Sequence, residues 1–110
     1  MLEVNSDVYS TLATAIQHRI PVWLTYGGQE KLVCPHSLGT SRKGQTNCLC
    51  YQIGGESSSG LGHPGSPGNW RCLRVAKITE AEFSPFSPWA TGGNHSCPNT
   101  AVVNVHYEVR

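Results

Sequence analysis

The chain has 110 residues, of which 14% are charged, and its formal net charge is +1. This length fits one compact domain and excludes a large multi-domain enzyme, and so few charged residues exclude a coiled coil. The 12 glycines and 7 prolines are too few for a collagen-like fibre and indicate many turns and short strands.

The first predicted element is an amphipathic helix over about residues 6–20. Apolar side chains recur there at every fourth position, which places them on one face of a helix. Asn5 or Ser6 can cap the start, and Pro21 ends the helix because proline cannot continue it. The apolar positions are Val8, Leu12, Ile16 and Ile20.

Five short strands are predicted after the helix, because β-branched and aromatic residues cluster between turn residues. Together with the helix they predict an α+β domain over residues 1–110, in which the sheet is curled or forms a partly closed β-barrel. The barrel would cover about residues 22–78. The predicted strands are 22–26, 30–34, 47–53, 69–78 and 101–109.

Two segments lack periodicity and are predicted as loops. Residues 54–68 are rich in glycine, serine and proline and predict a flexible hairpin tip. A phosphate-binding loop is the alternative there, but the Gly-Lys-Ser/Thr ending is missing and a strand follows. Residues 79–100 predict an irregular crossing, pinned to the core by Phe83, Phe86 and Trp89.

The five cysteines predict reduced, partly buried thiols, because their number is odd, no C-x-x-C occurs and no secretory signal is recognisable. We therefore expect a cytoplasmic protein, and no apolar stretch is long enough for a membrane helix. A metal or thiol site is the alternative, in which Cys48 and Cys50 would meet His36, Cys34 or Cys72. C-x-C in a strand is weak support for zinc, so we predict no enzyme, no metal and no cofactor.

Arg74 is the most informative residue of the predicted fourth strand. Alternation places it on one face with Trp70, Cys72 and Ile78, among mostly apolar neighbours. A charge there needs a partner. Either a carboxylate such as Glu80 forms a salt bridge with it, or the guanidinium binds the phosphate or carboxylate of a ligand.

The order of motifs resembles the WYL domain, a module of bacterial regulators, over about residues 11 to 88. Thr46 and Asn47 stand where the name-giving Trp and Tyr occur, Ala76 replaces the family aspartate, and residues 54–68 are an insertion. We expect no helix-turn-helix domain, which usually precedes the module. The matching segments are "AIQHRIPVWLTY", "KLVCPHSLG", "TNCLCY", "LRVAKI" and "FSPFSP".

The resemblance implies a small Sm/SH3-like barrel that senses a nucleotide, an oligonucleotide or single-stranded nucleic acid and regulates an effector protein or acts as a homo-oligomer. Lys31, Arg74 and Lys77 match basic positions of the family, and Tyr26 matches the tyrosine closing the first strand. His36 and Arg71 are added because they lie near these in sequence.

The distribution of charge agrees with this anionic ligand. The segment from Lys31 to Lys77 holds six bases and one acid, a net charge of +5, and the rest of the chain carries −4. A basic segment on a near-neutral protein can attract an anion locally, with Tyr26 or Trp70 as a stacking surface. An ordinary mixed surface is the alternative from charge alone. The rival function is a non-catalytic interaction or structural module that docks another protein through a sheet edge or residues 83–89.

Overall fold

One helix and six strands make up the computed structural model, which describes residues 5–58, 60–92 and 102–109. The α+β class predicted from the sequence is confirmed. The elements are α1 (Ser6–His18), β1 (Val22–Tyr26), β2 (Gln29–Thr40), β3 (Thr46–Gly55), β4 (Trp70–Arg74), β5 (Ile78–Phe83) and β6 (Asn104–Glu108).

Helix α1 begins and ends at residues whose local chemistry explains both boundaries. The Asn5 side-chain oxygen accepts hydrogen bonds from the backbone N–H groups of Asp7 and Val8, at 2.8 and 3.3 Å. These bonds satisfy donors that have no partner in the first turn. Arg19 adopts a left-handed conformation with φ 54°, which turns the chain out of the helix two residues before Pro21.

The six strands form one antiparallel sheet. Its hydrogen-bonded path runs β4-β3-β2-β1-β5, and β6 pairs with the second half of β2. The two strands at the ends of this path, β4 and β5, are consecutive in the chain. A three-residue 3-10 turn, Val75–Lys77, joins them, so this turn carries the chain from one edge strand of the sheet to the other.

The predicted end of the second strand at Pro35 is wrong, because β2 continues through Pro35 to Thr40. The register against β3 shifts between Pro35 and Ser37. Such an irregularity accommodates a residue without an N–H inside a strand.

The predicted strand 69–78 is also wrong as a single element. It breaks after Arg74, and β5 begins at Ile78. Val75 and Ile78 are both buried in the same core cluster. A strand would place residues three apart on opposite faces, whereas the intervening 3-10 turn lets both point inward. The predicted crossing 79–100 therefore starts with a strand, and its residues 93–100 lie outside the described part of the chain.

The main core lies between α1 and the sheet. The apolar stripe of the helix, with Leu12 and Ile16 fully buried, packs on Val33 and Leu38 of β2. Burying each such side chain stabilises the fold by about 1.5–3 kcal/mol. Cys48 and Cys50 of β3 belong to this cluster.

A second, smaller cluster includes the side chains of β3 that alternate with Cys48 and Cys50. It contains Cys34, Tyr51 and Trp70, with Trp89 packed against them. The prediction that aromatic residues 83–89 pin their segment to the core is right for Trp89 only. Phe83 is 45% exposed and Phe86 is 100% exposed.

The described cysteines are of two kinds. Cys34, Cys48 and Cys50 are free and buried, as the sequence predicted. Cys72 is disulfide-bonded, so the prediction of a reduced thiol is wrong for this residue; Cys97 lies outside the described residues. No helix within the described ranges has the length and apolar character to cross a membrane.

Candidate functional site

Arg74 is at the end of β4 and is held by neutral partners. Its guanidinium donates a hydrogen bond to the Gln45 side-chain oxygen at 3.0 Å, and its backbone N–H donates to the Tyr26 hydroxyl at 3.3 Å. The carboxylates predicted as alternative partners lie elsewhere. Glu80 and Glu82 line a cavity of about 190 Å³ with Trp23. Among the described residues, the charge of Arg74 is therefore not neutralised by an acid.

Three further bases lie on the two turns next to Arg74. Arg42 and Lys43 are exposed in the turn between β2 and β3, which hydrogen bonds between Ser41 and Gln45 close. Lys77 is exposed in the 3-10 turn that follows Arg74. The Arg74–Gln45 hydrogen bond links these two turns. We name this group the basic end: Arg42, Lys43, Arg74 and Lys77.

The Tyr26 side chain contacts Arg74 of this group, because its hydroxyl accepts the hydrogen bond from the Arg74 backbone N–H. Tyr26 is half-buried, so only part of its ring can stack on a ligand. Trp70, the other predicted stacking residue, is 4% exposed and packs against Tyr51 and His36. It is therefore not available as a stacking surface.

Lys31 belongs to the interior rather than to the basic end. It is 5% exposed, and its Nζ donates a hydrogen bond to the Glu56 carbonyl at 2.8 Å. Burial lowers the pKa of its ammonium, the nearby Arg71 guanidinium lowers this pKa further, and Glu56 raises it. An ammonium in this position is largely withdrawn from solvent and supports the chain after β3.

Arg71 is also used internally. Its five N–H donors have five oxygen partners at 2.7–3.0 Å, and burial lowers its pKa. The residue thus fastens loop 54–68 to the sheet with all five donors of its guanidinium. Its partners are the side chains of Gln52 and Ser57 and the carbonyl groups of Gly60, Gly68 and Trp70.

His36 lies in the second core cluster, apart from the basic end. Its Nδ1 hydrogen-bonds the Cys34 carbonyl at 2.7 Å. Its ring contacts Trp70 and Trp89, with ring centroids 4.8 and 4.9 Å away. Of the six predicted site residues, the structure brings together Arg74 and Tyr26, with Lys77 on the turn that follows Arg74, whereas Lys31, Arg71 and His36 are held elsewhere.

Loop 54–68 forms a second site, for which the sequence offered only a phosphate-binding loop as the alternative to a flexible hairpin tip. Buried Asn69 donates hydrogen bonds to the carbonyl groups of Gly62 and His63, at 3.2 and 3.1 Å, and the Tyr51 hydroxyl donates to the Ser66 carbonyl at 2.8 Å. These bonds hold the loop over β3. Its flexibility stays a prediction, but side chains of the sheet restrain it at several carbonyl groups.

An apolar cavity of about 250 Å³ lies under this loop. We name it the loop cavity. The sequence contains no pattern that predicts this cavity. Asn69 and Tyr51 hold the loop through backbone carbonyl groups, which every residue type supplies. The lining residues are Leu32, Tyr51, Gln52, Ile53, Leu61, Pro64, Asn69, Pro88 and Ala90.

The buried thiols are poorly suited to nucleophilic chemistry. Burial raises the pKa of Cys34 to about 11, and burial together with its contact to Cys48 raises the pKa of Cys50. A thiol held in its protonated form is a weak nucleophile and a weak metal ligand. Within the described ranges, no three His, Cys, Asp or Glu side chains are grouped so that they could hold a metal ion.

No family model matches this chain, and neither a curated protein nor a solved structure matches it. The resemblance to the WYL domain therefore rests on the order of sequence motifs.

Proposed function

We propose that the chain is a small non-catalytic module that binds an anionic ligand, a nucleotide or a short single strand of nucleic acid, at the basic end. The observation that carries this proposal is the neutral environment of Arg74. A half-buried guanidinium whose side chain is held by an amide keeps its charge available for phosphate oxygens. Arg42, Lys43 and Lys77 add exposed charge on the adjoining turns.

A WYL-like, partly closed Sm/SH3-like barrel is part of the proposal. The three-residue turn between β4 and β5, and the hydrogen bond from Arg74 to Tyr26, support it because both bring the edges of the sheet together. Such a module would regulate through an effector protein or through self-association.

The test is fluorescence anisotropy with a short labelled oligothymidylate and with a labelled adenine nucleotide, at low and moderate salt. We expect Arg74→Ala to weaken binding by at least about tenfold, because hydrogen bonds to charged groups contribute about 1.5–3 kcal/mol. The slope of log affinity against log salt should become shallower by about 0.7 for the single strand.

The matched control is Arg19→Asn. It removes one exposed positive charge at the end of α1, and asparagine tolerates the left-handed conformation of this position. We expect the affinity of this variant to equal that of the wild type. Equal losses in the two variants, or no binding by the wild type at low salt, would overturn the proposal.

A second candidate function, a protein-interaction module, is favoured by the exposed aromatic residues after β5. Phe86 is fully exposed and Phe83 nearly half exposed, and neighbouring exposed apolar side chains often mark interfaces. If they serve self-association, sedimentation velocity should show a concentration-dependent dimer that Phe86→Ser weakens. A monomer at all concentrations for both proteins would remove self-association through this surface.

A cytoplasmic location stays a prediction. The free thiols of Cys34, Cys48 and Cys50 support it, whereas the disulfide at Cys72 suits an oxidising compartment. Mass spectrometry of the protein isolated under thiol-blocking conditions would distinguish the two. A blocked Cys72 supports the cytoplasm, and a disulfide-linked Cys72 contradicts it.

A further inference from the structure

The loop cavity differs from the basic end in both position and chemistry. It lies between β2, β3, the loop before β4 and the segment at Pro88, and none of the four residues of the basic end lines it. Its walls are mostly aliphatic: Leu32, Ile53 and Leu61 face it, together with two prolines. None of its lining residues carries a charge.

The polar side chains that line the cavity are already engaged in the fold. Gln52 donates to the carbonyl groups of Gly54 and Glu56, each at 2.9 Å, and its oxygen accepts from Arg71. The Asn69 oxygen accepts from the Gly62 N–H at 2.7 Å, and its nitrogen donates to loop carbonyl groups.

Tyr51, the third polar residue of the lining, is engaged in the same way. Its hydroxyl donates to the Ser66 carbonyl and is 3.5 Å from the Asn69 side-chain nitrogen. A charged or strongly polar group placed against these walls would therefore lose hydration without finding a ready partner, which weakens binding. An apolar ligand has no such cost.

We propose that the loop cavity is a binding site for a small uncharged apolar molecule, such as an alkylbenzene. This site is separate from the anion site of the proposed function and does not depend on it. An apolar cavity of about 150 Å³ holds benzene, so a cavity of about 250 Å³ has room for about ten carbon atoms. The clamped loop supplies Leu61 and Pro64 as one wall, so the site exists before the ligand arrives.

The experiment is a titration of the whole chain with butylbenzene, followed by methyl NMR spectra of leucine and isoleucine. We expect saturable shifts at Leu32, Ile53 and Leu61, and nuclear Overhauser contacts from the ligand to these methyl groups. 4-Phenylbutanoate and 4-phenylbutylammonium, which add one charge of either sign, should bind at least about tenfold more weakly.

Two variants test the position of the ligand. Ala90→Phe places an aromatic ring into the cavity and should abolish the butylbenzene shifts. Thr91→Phe adds the same ring at the neighbouring exposed position and should leave binding unchanged. If Ala90→Phe fails to fold, the nuclear Overhauser contacts in the wild type decide the question.

Several outcomes would overturn the proposal. These are an absence of saturable shifts up to the solubility limit of butylbenzene, equal binding of a charged analogue, or ligand contacts confined to exposed Phe83 and Phe86. Concentration-dependent shifts of the same methyl groups without ligand would show that a second copy fills the cavity, which also contradicts it.

Discussion

The phenolic oxygen of Tyr26 accepts a hydrogen bond from the backbone N–H of Arg74 at 3.3 Å. Tyr26 is the last residue of β1 and Arg74 the last residue of β4, and β2 and β3 lie between these strands in the sheet. The contact therefore joins the ends of two strands that do not pair with each other, which requires the sheet to curve. The same contact positions the backbone of the residue on which the proposed anion site depends.

We expect Tyr26→Phe to lower the free energy of unfolding by about 1 kcal/mol, because a partly buried N–H loses its acceptor. Urea unfolding measures this change. Tyr9→Phe is the matched control. It removes an exposed hydroxyl that hydrogen-bonds His106 at 2.7 Å, a bond that water replaces, so the loss should be less than about 0.5 kcal/mol. Equal losses in the two variants would contradict the role of Tyr26.

Arg71 should act on the loop and on stability rather than on anion binding. Arg71→Ala removes all five hydrogen bonds of the guanidinium, and Arg71→Lys cannot replace them because an ammonium lacks the planar fork. We expect both variants to lose about 2–4 kcal/mol of stability and to speed amide hydrogen exchange in residues 54–68. Unchanged exchange in this loop would show that Arg71 does not hold it.

Gly55 and Gly28 distinguish two reasons why a position requires glycine, namely a left-handed backbone conformation and a lack of space for a side chain. Both have positive φ, 84° and 82°, but only at Gly55 would an added Cβ collide with backbone, at Glu30. We expect Gly28→Ala to cost about 1 kcal/mol from conformational strain and Gly55→Ala to cost at least about 2 kcal/mol. Chemical unfolding of the two variants checks this order. Equal costs would mean that the backbone contact relaxes freely.

Stability should fall in alkaline solution because of Cys34. Burial raises the pKa of this thiol to about 11 from its usual 9.0. Between about pH 9 and 11 the folded chain keeps a proton that the unfolded chain releases. The contribution of the protonated Cys34 thiol to the free energy of unfolding is thus complete below pH 9. It is lost as the pH rises through about 11, by at most about 1.4 kcal/mol per pH unit. In urea unfolding from pH 8 to 11, Cys34→Ala should show a shallower decline than the wild type, and parallel declines would contradict this.

Local patterns were sufficient for the elements whose residues interact with near neighbours. The four-residue apolar spacing and the Asn5 cap predicted α1 to within two residues of its end, and the β-branched run 22–26 predicted β1. Pro35 and the stretch 69–78 misled the prediction. A bulge in one place and a 3-10 turn in the other depend on pairing with distant strands, which no local pattern contains.

The sequence by itself determined the α+β composition and the concentration of basic residues in the segment 31–77. Only the tertiary structure decided which of these bases face water. Lys31 and Arg71 hydrogen-bond loop carbonyl groups, whereas Arg74 keeps a neutral amide as the partner of its guanidinium. The charge of a side chain follows from its chemistry, but its solvation follows from long-range contacts. For the same reason the near-neutral total of +1 does not reveal that Arg42, Lys43, Arg74 and Lys77 lie on two turns linked by the Arg74–Gln45 hydrogen bond.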